Sequence, residues 1–232
     1  MLRAVGQIPI PNPQHPKPKM AYYPIAVDLT DQPVLVVGGG TVALRKIEML
    51  IEFGARVTVV APDVMPEIET LAGSGKIALK RRDYELRDID DAILIIAATD
   101  DRGVNSRVSK DAQMANTLVN IVDDPELCSF IVPATIKRGD LTISISTAGK
   151  SPVLARRVRE KIEEIFGPEY GELADLLGEI REIAKERFKE QSDRQEVFRK
   201  IVDSEVIDLL RTGKREGARS LALEILENSL NR

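Results

Sequence analysis

"VLVVGGGTVALRKIEMLIEFGARVTVVAP" occupies residues 34–62. Two β-branched apolar runs, 34–38 and 56–61, enclose a glycine triplet and a stretch with helical spacing at 42–53. The order strand, turn, helix, strand follows from that pattern. Within it, Gly38-x-Gly40-x-x-Ala43 matches the dinucleotide fingerprint, with Ala in the third small position. Gly38 allows a tight turn, Gly40 leaves room for a pyrophosphate, and Ala43 lets helix and strand pack closely. The helix N-terminus then offers free N–H groups and the positive end of its dipole to phosphates. The bland alternative is a Gly-rich turn that binds nothing; two strands spaced about 20 residues apart argue against it. A Walker-type loop is excluded, because no Gly-Lys-Ser/Thr follows.

The same alternation continues outward. Further strands are expected at 76–82, 92–99 and 117–122, and helices at about 65–72 and 103–115. Strands that are apolar almost throughout indicate a parallel sheet covered on both faces. The fold class expected is therefore α/β, a Rossmann-type doubly wound sheet over 21–131. Beyond Pro125 the rhythm changes. "SFIVPATIKRG" and "DLTISISTAG" read as two antiparallel strands about a "KRGD" turn, outside the first sheet. A helix follows, with Ser151 as N-cap, Pro152 at its first position and Gly167-Pro168 at its end. The last third, 166–232, reads as a helical module. Leu173, Leu176, Leu177, Ile180, Ile183 and Ala184 form one apolar stripe there.

Bulk properties narrow the function classes. The chain has 232 residues, 33 basic and 37 acidic, a net charge of −4 that gives no pull toward nucleic acid or an anionic membrane. No apolar run approaches the roughly 20 residues of a membrane span. One cysteine, Cys128, points to a reducing, cytoplasmic setting. The N-terminal residues 1–20 carry Pro9, Pro11, Pro13, Pro16 and Pro18, and read as a loose tail, with Met20 as a second candidate start. The only histidine, His15, lies in that tail, so a structural zinc site is not expected.

Ligands of a doubly wound sheet sit beyond the carboxyl ends of its strands. The acid that grips the adenosine ribose normally ends the second strand, where this chain reads Val60-Ala61-Pro62, and Asp63 is the nearest carboxylate. No Arg stands beside Asp63 to favour a 2′-phosphate, so NAD is expected rather than NADP. "AATDDRGVN" places Thr99 and Asp100 at the cofactor edge, with Asp100 and Asp101 alternatively a turn and N-cap pair. Asp123 follows the fifth strand, where a carboxylate can take a proton as hydride leaves a neighbouring carbon. Its alternative role is an Asx-turn residue ahead of Asp124-Pro125. Asn120 either bonds a ligand or satisfies the strand end. Ser146 and Thr147 precede the Ser151 helix, whose N-terminus can seat a carboxylate; capping and turn formation is the competing reading. The Arg156, Arg157, Arg159 and Lys161 group faces either a polyanion or solvent.

Taken together, "YYPIAVDLTDQPVLVVGGGTVALRKIEMLIEFGARVTVVAPD", "IAATDDRGVNSRVS" and "NIVDDPELCSFIVPATIKRGDLTISISTAGKSPVLARRVREKIE" resemble the precorrin-2 dehydrogenase family, which includes the dehydrogenase and ferrochelatase portion of siroheme synthase. The resemblance covers roughly residues 22–166. It implies oxidation of precorrin-2 to sirohydrochlorin with NAD as hydride acceptor, and in some members insertion of Fe2+. It puts the family's important aspartate on Asp123. Nucleotide contacts fall on Thr41, Val42, Pro62 and Asp63, beside Gly38, Gly40, Thr99 and Asp100. Asn120, Ser146, Thr147 and Ser151 become candidates for the substrate, with Thr147 standing where some relatives have Ser. The resemblance also implies an intertwined homodimer, a dimerisation region at 132–165 and a helical C-terminal module at 166–232. The chain ends at Arg232, so the methyltransferase domain of fused siroheme synthases is not expected.

Three functions remain. Hydride transfer uses the glycine loop and Asp123. Chelation needs only a group to take pyrrole protons, since the macrocycle itself binds the metal, and Asp123 again qualifies. A regulatory NAD sensor without catalysis would need the glycine loop but neither Asp123 nor "STAGKSP".

Overall fold

The computed structural model describes residues 22–230. The proline-rich tail and His15 lie outside them. Five parallel strands, β1 (Pro33–Val37), β2 (Arg56–Val60), β3 (Ala78–Lys80), β4 (Leu94–Ala97) and β5 (Leu118–Ile121), form one sheet in the order β3-β2-β1-β4-β5. They alternate with α1 (Thr41–Glu52), α2 (Pro66–Gly73) and α3 (Arg102–Met114). The near-continuous apolar strands have the cause read from the sequence. Val34, Val36, Val57 and Val59 pack under Ala43 and Ile47 of α1 and Ile68 of α2. Leu35, Val37, Ile95 and Val119 pack on the other face under Val108 and Ala112 of α3.

Strand β3 is shorter than the 76–82 expected. It is an edge strand paired only to Thr58–Val60, and the chain beyond it turns to deliver Arg81 to Glu69 and Arg82 to Asp88. The order reversal at β1 and β4 is the topological switch point, where the sheet opens a crevice at its carboxyl edge.

The contacts divide the chain at Val132 and Pro133 into two compact units. The second begins with an antiparallel pair, β6 (Ala134–Arg138) and β7 (Leu141–Ile145), closed around Gly139 and Asp140 as the "KRGD" turn predicts. Helix α4 (Pro152–Ile165) starts on the Ser151 hydroxyl, which accepts from the Leu154 N–H at 3.2 Å. Helices α5 (Glu169–Arg187), α6 (Gln191–Val202), α7 (Val206–Arg211) and α8 (Arg215–Leu230) complete it around a core that includes Leu173, Leu176, Ile180, Ile201 and Leu226. Helices α6 and α7 part at Ser204, whose hydroxyl donates to Ile201 O and accepts from Val206 N–H. Among the described residues, no helix is long and apolar enough to cross a membrane.

Candidate active site

The glycine loop is shaped by close packing. Gly38 has φ +120°, and a Cβ there would lie 2.3 Å from the Ala98 carbonyl oxygen. That contact seats the end of β1 directly on the end of β4, so only glycine fits. A Cβ on Gly39 would meet Asp63 O at 2.1 Å, and Met65 N–H donates to Gly39 O at 2.9 Å. The segment after β2, with Pro62 and Asp63, is thus pressed against the loop. Gly40 differs: a Cβ there would meet nothing within 4 Å. It is the N-cap of α1, and no side chain caps the helix and no acid sits in its first turn. The N–H groups of Thr41 and Val42 therefore open onto free space, and this cradle fits the pyrophosphate of a dinucleotide.

Beside the loop, a cleft of about 600 Å³ is lined by Val42, Ala98, Thr99, Asp100, Val122, Asp123, Asp124 and Leu127, together with Arg102, Asn105 and Ser106 of α3. The last three were not singled out from the sequence. Their signal was available, because the residues after a fourth-strand turn at i and i+3 or i+4 of a helix share its crevice-facing side. Asn105 is buried and fixes the turn: its amide donates to Thr99 O at 2.9 Å, while the Thr99 hydroxyl bonds Asn105 Oδ1 at 2.9 Å. Asp101 is the N-cap of α3, accepting from Gly103 and Val104 N–H groups. Asp100 is left exposed at the cleft.

Asp123 sits on a loop that doubles back along β5. Ser129 N–H donates to Val119 O at 2.8 Å and Val119 N–H donates to the Ser129 hydroxyl at 2.8 Å. Ile121 N–H donates to Cys128 Sγ at 3.1 Å, and that thiol faces the Ile121 and Asp124 carbonyls at 3.3 and 3.2 Å. Side chains of Cys128 and Ser129 so complete the free edge of β5 as a neighbouring strand would. Burial pushes the Cys128 thiol above its ordinary pKa, so it stays protonated and serves as a donor. The buried Ser109 hydroxyl ties the far side of the loop to α3 through Leu127 O at 2.7 Å. Held at both ends, the loop turns Asp123 to φ 62°. That is left-handed backbone, which Asp and Asn tolerate better than other non-glycine residues. The Asp123 side chain is exposed and makes no hydrogen bond or ion pair within the described residues, so it is free to work on a ligand.

The other predicted residues are disposed differently. The Asn120 amide donates to Phe130 O at 3.0 Å, where it satisfies the strand end. In the second unit, Thr147 Oγ accepts from Ser151 N–H and donates to Ser151 O, both at 3.1 Å. Ser146 Oγ accepts from Ala148 N–H at 3.0 Å. These two hydroxyls, with that of Ser151, shape the turn that starts α4. Arg156 and Arg157 pair with Glu160, and Arg159 with Glu163. Among the described residues no group of three or more His, Cys, Asp or Glu is placed to hold a metal ion.

This geometry has close counterparts. A solved precorrin-2 dehydrogenase, SirC, superposes with a TM-score of 0.70 at 31% identity, over 88% of this chain and 100% of SirC. The chain belongs to the precorrin-2 dehydrogenase family. Family models agree along its length: an NAD(P)-binding domain matches 25–134, a sirohaem biosynthesis central region 138–165, and a sirohaem synthase dimerisation region 169–226. Residues 132–165, where the sequence resemblance put dimerisation, are thus mostly those of the central region. Siroheme synthases of Methylobacillus flagellatus and Pseudoalteromonas translucida are 41% and 42% identical over 89% and 91% of the chain. The chain spans 44% of the length of each.

Proposed function

We infer that the protein oxidises precorrin-2 to sirohydrochlorin, with NAD⁺ as hydride acceptor. The observation that carries this is the unbonded Asp123 carboxylate, exposed in a cleft beside an open glycine cradle. When bound, the cofactor supplies an acceptor for one hydride. The backbone of Gly38, Gly40, Thr41 and Val42 holds its pyrophosphate, Pro62 and Asp63 flank its adenosine end, and Thr99 and Asp100 border its path. Asp123 takes the proton released as the reduced macrocycle loses hydride from an adjoining carbon, so one hydride and one proton leave together. Fixing donor and acceptor in the cleft supplies much of the rate, and proton handling adds about 10²–10⁴-fold.

NAD⁺ is favoured over NADP⁺ by the cations near the end of β2. Lys80 and Arg82 are bonded to Asp88, and Arg81 to Glu69, so none stands ready for a 2′-phosphate. Asn120 steadies the strand beneath Asp123. A sensor role would leave the free Asp123 carboxylate without a task.

Assembly as a homodimer follows from β6 and β7. A two-stranded sheet is marginal alone, and Val153, Leu154 and Ile165 of α4 are 73%, 55% and 63% exposed. A single cysteine in 232 residues suits the cytoplasm. Iron insertion is a second reading, favoured by the match to siroheme synthases: the same carboxylate can accept pyrrole protons as Fe2+ enters sirohydrochlorin. The test is precorrin-2 oxidation with NAD⁺ and NADP⁺ side by side. Sirohydrochlorin formed faster with NAD⁺ is the expected result; no oxidation with either removes the reading. Fe2+ insertion no faster than in buffer would leave a dehydrogenase alone.

A further inference from the structure

Lys46 is a half-buried charged group near the cleft that the fold leaves unexplained. It lies on α1 four residues after Val42, so the two share a helix face, and Val42 and Asp123 both line the cleft. Its side chain is half-buried, yet it makes no hydrogen bond or ion pair within the described residues. Other half-buried cations are paired: Arg82 with Asp88, Arg138 with Phe166 O, Lys200 with Glu196. Burial lowers the Lys46 pKa first, Arg45 adds to this, and Asp123 opposes both, which places the ammonium within the field of that carboxylate. A half-buried cation without a protein partner is costly unless a ligand anion meets it.

Two anions enter such a cleft, the cofactor's phosphates and the substrate's carboxylates. The phosphates have their seat at the N–H groups of Thr41 and Val42. Lys46 stands about 6 Å further along the helix, away from those groups and on the face it shares with Val42 of the cleft. We propose that Lys46 binds a peripheral carboxylate of the tetrapyrrole and so positions the macrocycle against Asp123. This rests on the dehydrogenase reading and deepens it by naming the residue that anchors a polycarboxylate substrate. Arg in its place would keep the charge; Met would keep the stem and lose it.

The test compares wild type, Lys46→Met and Lys46→Arg for KM and kcat with precorrin-2, and for NAD⁺ affinity in a direct binding titration. Lys46→Met is expected to raise KM for precorrin-2 about tenfold, with kcat changed far less and NAD⁺ affinity within about twofold. Lys46→Arg is expected to restore most of the loss. An unchanged KM in Lys46→Met overturns the role, as does an equal loss in both variants, which marks a structural lysine. A parallel fall in NAD⁺ affinity reassigns Lys46 to the cofactor phosphates. A wild-type protein that turns over no precorrin-2 overturns the dehydrogenase reading, and this anchor with it.

Discussion

The loops after β3 and after β5 each carry an aspartate, and the two could hardly be held more differently. Asp88 is fully shielded, and Arg82, Lys80 and the Glu85 N–H all donate to it. Burial alone would raise its pKa, but these donors hold it well below the usual carboxylate range. Asp123 stands exposed on left-handed backbone with no protein donor. A carboxylate whose every lone pair is answered inside the protein serves the fold. One that a loop is built to present, and then leaves unanswered, serves a ligand.

Substitutions at the two sites should therefore separate activity from stability. Asp123→Asn keeps a side chain that tolerates the left-handed backbone, so it should fold as wild type yet lose about 10²–10⁴-fold in turnover. Circular dichroism and the precorrin-2 assay check both halves. Gly38→Ala should destabilise by about 2–5 kcal/mol, because its Cβ meets backbone and its φ suits only glycine; denaturant titration measures it. Asp88→Asn should cost about 1.5–3 kcal/mol at neutral pH while activity per folded molecule stays intact. The sign with pH follows from a depressed folded-state pKa. Asp88 contributes stability above its unfolded pKa of about 3.9 and loses it as pH falls through the folded value. The gap between wild type and Asp88→Asn should accordingly narrow below about pH 4. Gly40→Ala makes the smallest change to the fold, under about 1 kcal/mol, since no protein atom lies within 4 Å. It should still weaken NAD⁺ about tenfold, or about 1.4 kcal/mol, by filling the cradle.

Much of this was legible in the sequence because its causes are local. The fingerprint glycines, the alternating elements, the Ser151 and Asp101 caps and the "KRGD" hairpin all depend on neighbours a few residues away. What escaped was set by contacts distant along the chain. The intolerance at Gly39 arises only because Asp63 crosses over it. Asn105 matters through its grip on Thr99, and Lys46 through the field of a loop nearly eighty residues on. Asn120, Ser146 and Thr147 had two readings each on local grounds, and the structure engages all three in strand-end and turn bonds.

The central claim is that the exposed carboxylate of the β5 loop performs the chemistry. Single-turnover oxidation of precorrin-2 by Asp123→Asn, at saturating NAD⁺ and with binding of NAD⁺ measured on the same sample, tests it most directly. Sirohydrochlorin formation slowed at least about a hundredfold, with NAD⁺ bound as tightly as by wild type, is the predicted result. Turnover at the wild-type rate would contradict it.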